Sequence, residues 1–430
     1  MKVPLSIWDK LGLRFDFPDD PNTIYCEFQG NGVFDKNKLE ESWRKVQVRT
    51  PLLSSKLVKE SKRFRSHLYW SETDSNFPIT WLHYENIQEL EVLRNQISSK
   101  QVDPTRGSCE LFVTLGKGSF SLLLMAHHAA FDGVSCIAIL KSLCECYSGD
   151  PNWESALFHI SNELKVGQQG NGGKNIASKN PKNRSLKYLP FIHKVTRIHR
   201  TVSSNIPGYS VVNRSLSQSE FEIVSKRRKI YNATVNDLLL MAFNNAIDKW
   251  NNSNKSETDL TLITMPINLR PESGRYLGIG NFTAAVPIGS NLSDRVNSVQ
   301  LLNAISAQTS TFKATPASPI FQMINEILSR PPLVNLILAA YNPLGNKYVH
   351  SAILSNLGRI QEVLVLGASS KVNHIYFSTA GRMPRGVAIG AIGYDSSIDL
   401  TLRYRNAQFE KGDALHFLDL FVDALIAWDS

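Results

Sequence analysis

The sequence predicts a mixed α/β protein of two lobes, and three observations lead there. The chain has 430 residues, more than one compact core ordinarily takes, so two cores of about 200 residues each are expected. Its hydrophobic pattern alternates between stretches of helical period and short apolar or alternating runs of strand period. Between Leu164 and Ser219 there is no acid at all, and the Gly, Asn and Lys content of this stretch reads as a surface linker. The expected division is an N-terminal lobe at 1–165, a basic linker at 166–205 and a C-terminal lobe at 206–430.

Taken in order, Leu39, Trp43 and Val46 recur at helical spacing behind Asp35, which predicts a capped helix over 36–48 with one buried face. Ser119–Ala126 (SFSLLLMA) is a nearly continuous apolar run and predicts a central strand, followed from Gly133 by a helix to about Tyr147. After the linker, Ser217 and Glu220 stand at capping-box spacing ahead of a short helix with Phe221 and Val224 on one face. A second helix begins near Thr234. Thr258–Asn268, Val363–Leu366, His374–Ala380, Val387–Tyr394 and Ile398–Arg405 read as strands separated by Gly, Ser and Pro. The last element, Ala414–Trp428, places Phe417, Phe421, Ala424, Leu425 and Trp428 on one helical face. Trp43, Trp250 and Trp428 fall on core stripes rather than in a binding box.

Composition excludes several classes. With 42% hydrophobic and 20% charged residues, the chain is neither disordered nor, lacking an unbroken apolar stretch of about 18 residues, a membrane-spanning helical protein. The N-terminal MKVPLSIWDKLGLRF has charges and a proline where a secretory signal needs a continuous apolar stretch, so a cytoplasmic location is expected. Cys26, Cys109, Cys136, Cys144 and Cys146 form an odd set without a CxxC pair and are expected to be free, buried or half-buried thiols. The net charge is +9, from 47 Lys and Arg against 38 Asp and Glu, and ten of the cations lie in the acid-free segment. The remainder is 37 against 38. The excess is therefore local, either a solvated linker or a site for phosphates or an acidic partner. Nucleic-acid binding is not expected, because no basic face interleaved with aromatic residues is visible.

The residues that carry chemistry are HHAAFDG, His127 to Gly133, where the central strand ends and a helix starts. Strand ends are where α/β sheets present side chains to ligands. A histidine there can take a proton from a hydroxyl or amine as that group attacks a carbonyl. Successive side chains of an extended backbone face opposite sides, so only one of His127 and His128 can enter a given cavity. Asp132 could orient a ring, pair with a cation or hold the turn that Gly133 permits. By itself the pattern also admits a metal site, or two structural histidines beside a turn.

Further segments resolve the choice by resemblance. HHAAFDG after an apolar strand resembles the HHxxxDG signature of the chloramphenicol-acetyltransferase-like superfamily, which includes condensation domains, wax-ester synthases and stand-alone acyltransferases. RTPLLSSKL (Arg49–Leu57), ATVNDLLLMA (Ala233–Ala242), INLRP with GIGNFTAAVP (Ile267–Pro271, Gly278–Pro287) and SNLG (Ser355–Gly358) are similar to segments of that superfamily in the same order. The resemblance implies two similar α/β lobes meeting at an active-site tunnel. It implies that His128, the second histidine, acts as or positions the base for an acceptor hydroxyl or amine attacking a thioester. His127 and Gly133 then support the site, Gly133 by letting the backbone turn tightly and leaving an amide near the reaction centre. Asp132 would point away and pair with Arg270 of the second lobe. Asn281 and Thr283, and likewise Ser355 and Asn356, are candidates for oxyanion or substrate contacts, with turn formation as the alternative for each pair.

No bound cofactor or metal is implied. The co-substrate would be acyl-CoA or a carrier protein's phosphopantetheinyl arm, the acceptor a small molecule, the setting secondary or lipid metabolism, and the protein a monomer. Departures narrow the reading: there is no DFGWG motif, Thr50 stands where the early segment usually has histidine, and no adenylation or carrier module follows the last helix. A stand-alone acyltransferase is therefore expected. A non-catalytic relative that binds a carrier protein or small molecule is the competing reading, and an intact His128 argues against it.

Overall fold

The computed structural model describes residues 2–5, 7–62, 65–73, 77–156, 195–268, 270, 278–314, 350–383 and 385–428. The first half of the chain holds β1 (Lys2–Pro4), α1 (Ile7–Arg14), β2 (Thr23–Gly32), α2 (Lys36–Arg49), β3 (Ser55–Lys62), β4 (Arg65–Glu72), β5 (Ile79–His83), α3 (Ile87–Ser98), β6 (Cys109–Gly116), β7 (Ser119–His127) and α4 (Gly133–Ser148). The second holds β8 (Tyr209–Ser215), α5 (Gln218–Ile230), α6 (Val235–Ser253), β9 (Thr261–Asn268), β10 (Thr283–Ser290), α7 (Ser298–Ala314), β11 (Ala352–Ile360), β12 (Ser370–Ser378), β13 (Val387–Tyr394), β14 (Ser397–Arg405) and α8 (Lys411–Ile426).

The strands form a five-stranded sheet in the order β12-β2-β7-β6-β5, a six-stranded sheet β10-β9-β11-β13-β14-β8 and a small sheet β1-β4-β3. Strand β7 is the middle of the first large sheet, as its apolar run requires, and all but its first residue are buried. On one face of that sheet Leu39, Trp43 and Val46 of α2 meet Cys136, Ile139 and Leu143 of α4 in an apolar core. The second sheet is covered by α6 and α8, whose Phe243, Trp250, Phe417 and Phe421 interlock edge to face. Each such fully buried side chain contributes about 1.5–3 kcal/mol.

The large sheets do not follow the chain order. Strand β12, from the C-terminal half, pairs antiparallel with β2 as the edge of the first sheet. It also lies against β13 so closely that a Cβ on Gly390 would sit 1.6 Å from the Phe377 carbonyl oxygen. The face of the first sheet turned toward β8 and β14 combines a small apolar cluster, Tyr25, Phe112, Leu123 and Met125 with Val211 of β8 against it, with buried polar groups. There Glu27 accepts from Arg94 (2.7 Å), Ser121 (2.6 Å), Tyr25 and, across the junction, Asn213 (3.3 Å). Nearby, His374 of β12 meets Asp399 of β14 (3.2 Å) and Ser215 of β8 (3.0 Å), and hydrogen bonding to Asp399 raises its pKa above the ordinary value despite burial.

Most expected elements are present. Asp35, Ser217 and Thr234 cap α2, α5 and α6 with side-chain acceptors, and the last two complete capping boxes. All five cysteines are free, four of them buried. Val363–Leu366 is not a strand. Val363 is 61% exposed, and the backbone bonds of this stretch go to the Tyr394 hydroxyl, Ser370 and Val372 in a turn rather than to a ladder.

Of the basic segment, 166–194 lies outside the described residues, including Lys174, Lys179, Lys182 and Arg184. Its C-terminal end is packed: Val195, Ile198 and Val202 are buried. His199 is half-buried and bonded to Asn251 and Ser256 at 2.8 Å each. Among the described residues no helix is long and apolar enough to cross a membrane.

Candidate active site

The HHAAFDG turn is built on the end of β7 and closed by the cap of α4. Thr23 of β2 faces His127 across the ladder, and the His128 N–H donates to the Asn22 carbonyl at 3.0 Å. The next residues curl back, with Ala130 and Phe131 N–H both donating to the His127 carbonyl, at 2.9 and 3.1 Å.

The two histidines take opposite environments, as an extended backbone dictates. His127 is fully buried beside the Trp70 ring. Its Nδ1 accepts the Ala129 N–H at 3.0 Å, which leaves the proton on Nε2, 3.5 Å from the Asp16 carboxylate. Burial pushes the Asp16 carboxyl up, but the His127 ring, the Asn22 N–H and Gln101 together hold it below its ordinary value. His127 is thus packed into the first lobe, with its Nδ1 occupied by a backbone N–H.

His128 is partly exposed to solvent and closely ringed by protein. Burial pushes its imidazole below the ordinary histidine value, opposed by its own carbonyl and by the Asp132 charge. The result is an unprotonated ring at neutral pH, available to accept a proton.

Asp132 points away from His128 into the junction between the sheets. It caps α4 by accepting from Ser135 N–H at 2.9 Å, takes both Arg270 Nη groups at 2.8 and 3.0 Å, and receives the Phe282 N–H at 2.8 Å. Both side chains are almost wholly buried, at 1% and 3% exposure. Arg270 also donates to the Gly278 carbonyl (3.0 Å), Ser135 Oγ (2.8 Å) and Asn268 Oδ1 (3.2 Å). Since β7 and β9 belong to different sheets, this bidentate pair ties the lobes together beside the histidines. With all four hydrogen bonds on its oxygens, Asp132 has no lone pair directed at a metal shared with the histidines.

Gly133 was expected to permit a sharp turn. It sits instead as the first residue of α4, outside the left-handed region, and its role is room. A Cβ there would meet the Phe377 ring at 2.4 Å and Leu357 at 3.1 Å. Asn281 was a candidate oxyanion donor. Its amide donates to the His128 carbonyl at 2.9 Å and its Oδ1 accepts the Thr283 N–H at 3.3 Å, so it holds the histidine's backbone. Thr283 opens β10, half-exposed beside it. Asn356 accepts the Gly358 N–H at 3.0 Å, with Gly358 at φ +80°, which makes it a turn former. Ser355 is buried in β11, paired with Gly390, and the following Leu357 touches the start of α4.

The structure therefore gathers His127, His128, Asp132, Gly133, Arg270 and Asn281 at one point, whereas Ser355 and Asn356 make their contacts within β11 and with β13. Sequence reasoning missed Asp16, Asn22, Ser135 and Gly280. The Gly280 carbonyl accepts the Asp132 N–H at 3.2 Å and Ser135 Oγ at 2.7 Å. Only Ser135, three residues after a capping aspartate, lay within reach of the motif.

The fold has counterparts among solved structures. The first condensation domain of the calcium-dependent antibiotic synthetase, in complex with a substrate analogue, superimposes with a TM-score of 0.71 at 13% identity, covering 99% of this chain and 96% of that one. The chain has the two-lobed condensation-domain fold. The starter condensation domain of rhizomide synthetase RzmA, a mutant in complex with C8-CoA, matches with a TM-score of 0.70 at 12% identity over 100% and 95% of the two chains. TRI3 trichothecene 15-O-acetyltransferase from Fusarium sporotrichioides matches at 0.68 and 13% over 98% and 94%. The expected two-lobed α/β fold is thus borne out. Two curated relatives, the uncharacterized proteins MT2362 and Rv2305 from two strains of Mycobacterium tuberculosis, are each 24% identical over 436 residues, 98% of either chain. No family model matches.

Proposed function

We propose that the protein is an acyltransferase that moves an acyl group from a thioester to a hydroxyl or amine, with His128 as general base. The observation that carries this reading is the division of labour in the motif. His127 is buried with its Nδ1 on a backbone N–H and Asp132 is turned away onto Arg270, whereas the His128 ring is held by burial below the ordinary histidine value while its backbone is held from both lobes by Asn22 and Asn281.

In the reaction, the ring takes the acceptor's proton as its oxygen or nitrogen attacks the thioester carbonyl. The tetrahedral intermediate collapses with cleavage of the C–S bond, and the imidazolium returns the proton to the departing thiolate. General base catalysis of this kind contributes about 10²–10⁴-fold. The donor would be acyl-CoA or a phosphopantetheinyl carrier, reaching the ring through a tunnel between the lobes. Support comes from structural neighbours: one is an O-acetyltransferase by name, and another was crystallised with C8-CoA.

The test is turnover. Purified protein is incubated with acyl-CoA and a pool of alcohols and amines, with thiol release followed and products identified by mass spectrometry. Acylated product from the wild type and none from His128→Ala supports the reading, while no thiol release with either CoA or carrier-bound donors counts against it.

A further inference from the structure

Arg403 lies in β14 of the second sheet and is 0% exposed. Its hydrogen bonds run to neutral oxygens: Nη1 donates to the Thr23 carbonyl at 2.7 Å, and Nη2 to Thr23 Oγ1 at 2.8 Å and the Ser98 carbonyl at 2.6 Å. Its guanidinium lies over the Tyr209 ring at 4.4 Å. Burial lowers its pKa to about 10, with Tyr209 and the more distant Asp20 opposing the shift. An apolar side chain of similar volume would fill this space without the desolvation penalty, so packing alone does not account for an arginine here.

What those bonds hold is informative. All three cross from the second sheet to the first lobe. Thr23 opens β2 and pairs with His127, and the residue before it, Asn22, supplies the carbonyl that receives the His128 N–H at 3.0 Å. We propose that Arg403 is a positioning residue for His128, fixing from the second lobe the strand end that carries the histidine's backbone, so that lobe alignment and placement of the ring are coupled. The inference rests on the reading of His128 as the base. The planar fork is essential to it, because three acceptors in fixed directions match a guanidinium and not an ammonium.

The experiment is a titration of the His128 ring by NMR in the full-length protein, its signal assigned by loss in His128→Ala. In Arg403→Lys the charge stays and the fork is lost. The strand end then loosens, water reaches the ring, and the His128 pKa should rise toward the ordinary value of about 6.5. Thiol release from octanoyl-CoA with the acceptor pool should fall about 100-fold in kcat with little change in KM, the size of effect a displacement of about 1 Å produces. A folded Arg403→Lys with the wild-type His128 titration overturns the proposal, whatever its melting temperature.

If Arg403→Lys does not fold, Thr23→Val removes one acceptor while keeping the side chain's shape. The same upward shift is expected there, reversed in Thr23→Ser, and an unchanged titration in Thr23→Val overturns the proposal. Turnover retained by His128→Ala would instead overturn the base reading, and the titrations would still decide whether Arg403 positions the ring.

Discussion

Replacing Asp132 by asparagine should weaken the junction between the lobes far more than a change of one atom suggests. The carboxylate receives four N–H groups: Ser135 and Arg270 Nη2 on one oxygen, and Phe282 and Arg270 Nη1 on the other, at 2.8–3.0 Å. Asparagine offers one oxygen, and its amide nitrogen would face two of these donors. The guanidinium, at 3% exposure, would lose its counter-charge as well. Breaking a buried pair in this way typically costs about 3–5 kcal/mol. A domain of about 150–250 residues shifts by about 2–4 °C per kcal/mol, so the midpoint should fall by about 6–20 °C if the lobes unfold as units. The assay is calorimetric melting of wild type, Asp132→Asn, Arg270→Met and the double variant at one pH. Because the double variant leaves no unpaired charge, it should be no worse than the weaker single variant. A midpoint for Asp132→Asn within about 1 °C of wild type, or single effects that simply add, would refute the reasoning.

His128→Ala should lower kcat by about 10²–10⁴-fold with the melting midpoint held, and near wild-type turnover would remove the base assignment. Since the unprotonated ring is the active form and burial lowers its pKa, the acid limb of kcat/KM should lie below the ordinary histidine value of about 6.5, and a limb at or above it would contradict this. Gly133→Ala drives a methyl to 2.4 Å from the Phe377 ring and should cost about 1–3 kcal/mol in a urea titration, with an unchanged midpoint showing that the ring can yield. His374 has a raised pKa from its hydrogen bond with Asp399, so its stabilisation is fully present below about pH 6.5 and lost as pH rises through the higher folded-state value. Asp399→Asn should therefore destabilise more at about pH 5.5 than at about pH 8.5, and equal losses would count against the linkage.

Local physics made much of the fold legible. Caps at Asp35, Ser217 and Thr234 are short-range bonds between a side chain and the next turn, and the helical stripes of α2 and α8 bury one face each. Strand β2 was not legible, because its second face is buried without being apolar. Tyr25, Glu27 and Gln29 alternate with Ile24, Cys26 and Phe28, and Glu27 sits at 0% exposure inside a hydrogen-bond network. Polar alternation usually signals solvent, and here it signals the other lobe. The placement of β12 in the first sheet is a pairing across more than 300 positions of sequence, visible in no local pattern. In the site, HHAAFDG announced itself, while Asp16 and Asn22 sit in an ordinary loop and gain meaning only from the backbone groups they meet.

The distribution of buried charge explains why the lobes need specific contacts. Each lobe's own core is apolar, built from clusters such as Trp43 with Leu140 and Phe243 with Phe421, and burial of that kind is non-directional. It holds a lobe together without fixing its angle to a neighbour. Buried ionic groups stand on the junction or beside it as well, among them Asp132 with Arg270, Glu27 with Arg94 and Asn213, Asp399 with His374, and Arg403 with Thr23 and Ser98. Each has a desolvation penalty that only correctly directed partners offset, so a small rotation of one lobe on the other would leave several of them unsatisfied at once. Directional bonds therefore set the lobe angle. Since the His128 backbone is held by Asn22 of one lobe and Asn281 of the other, that same angle sets where its ring can meet a substrate.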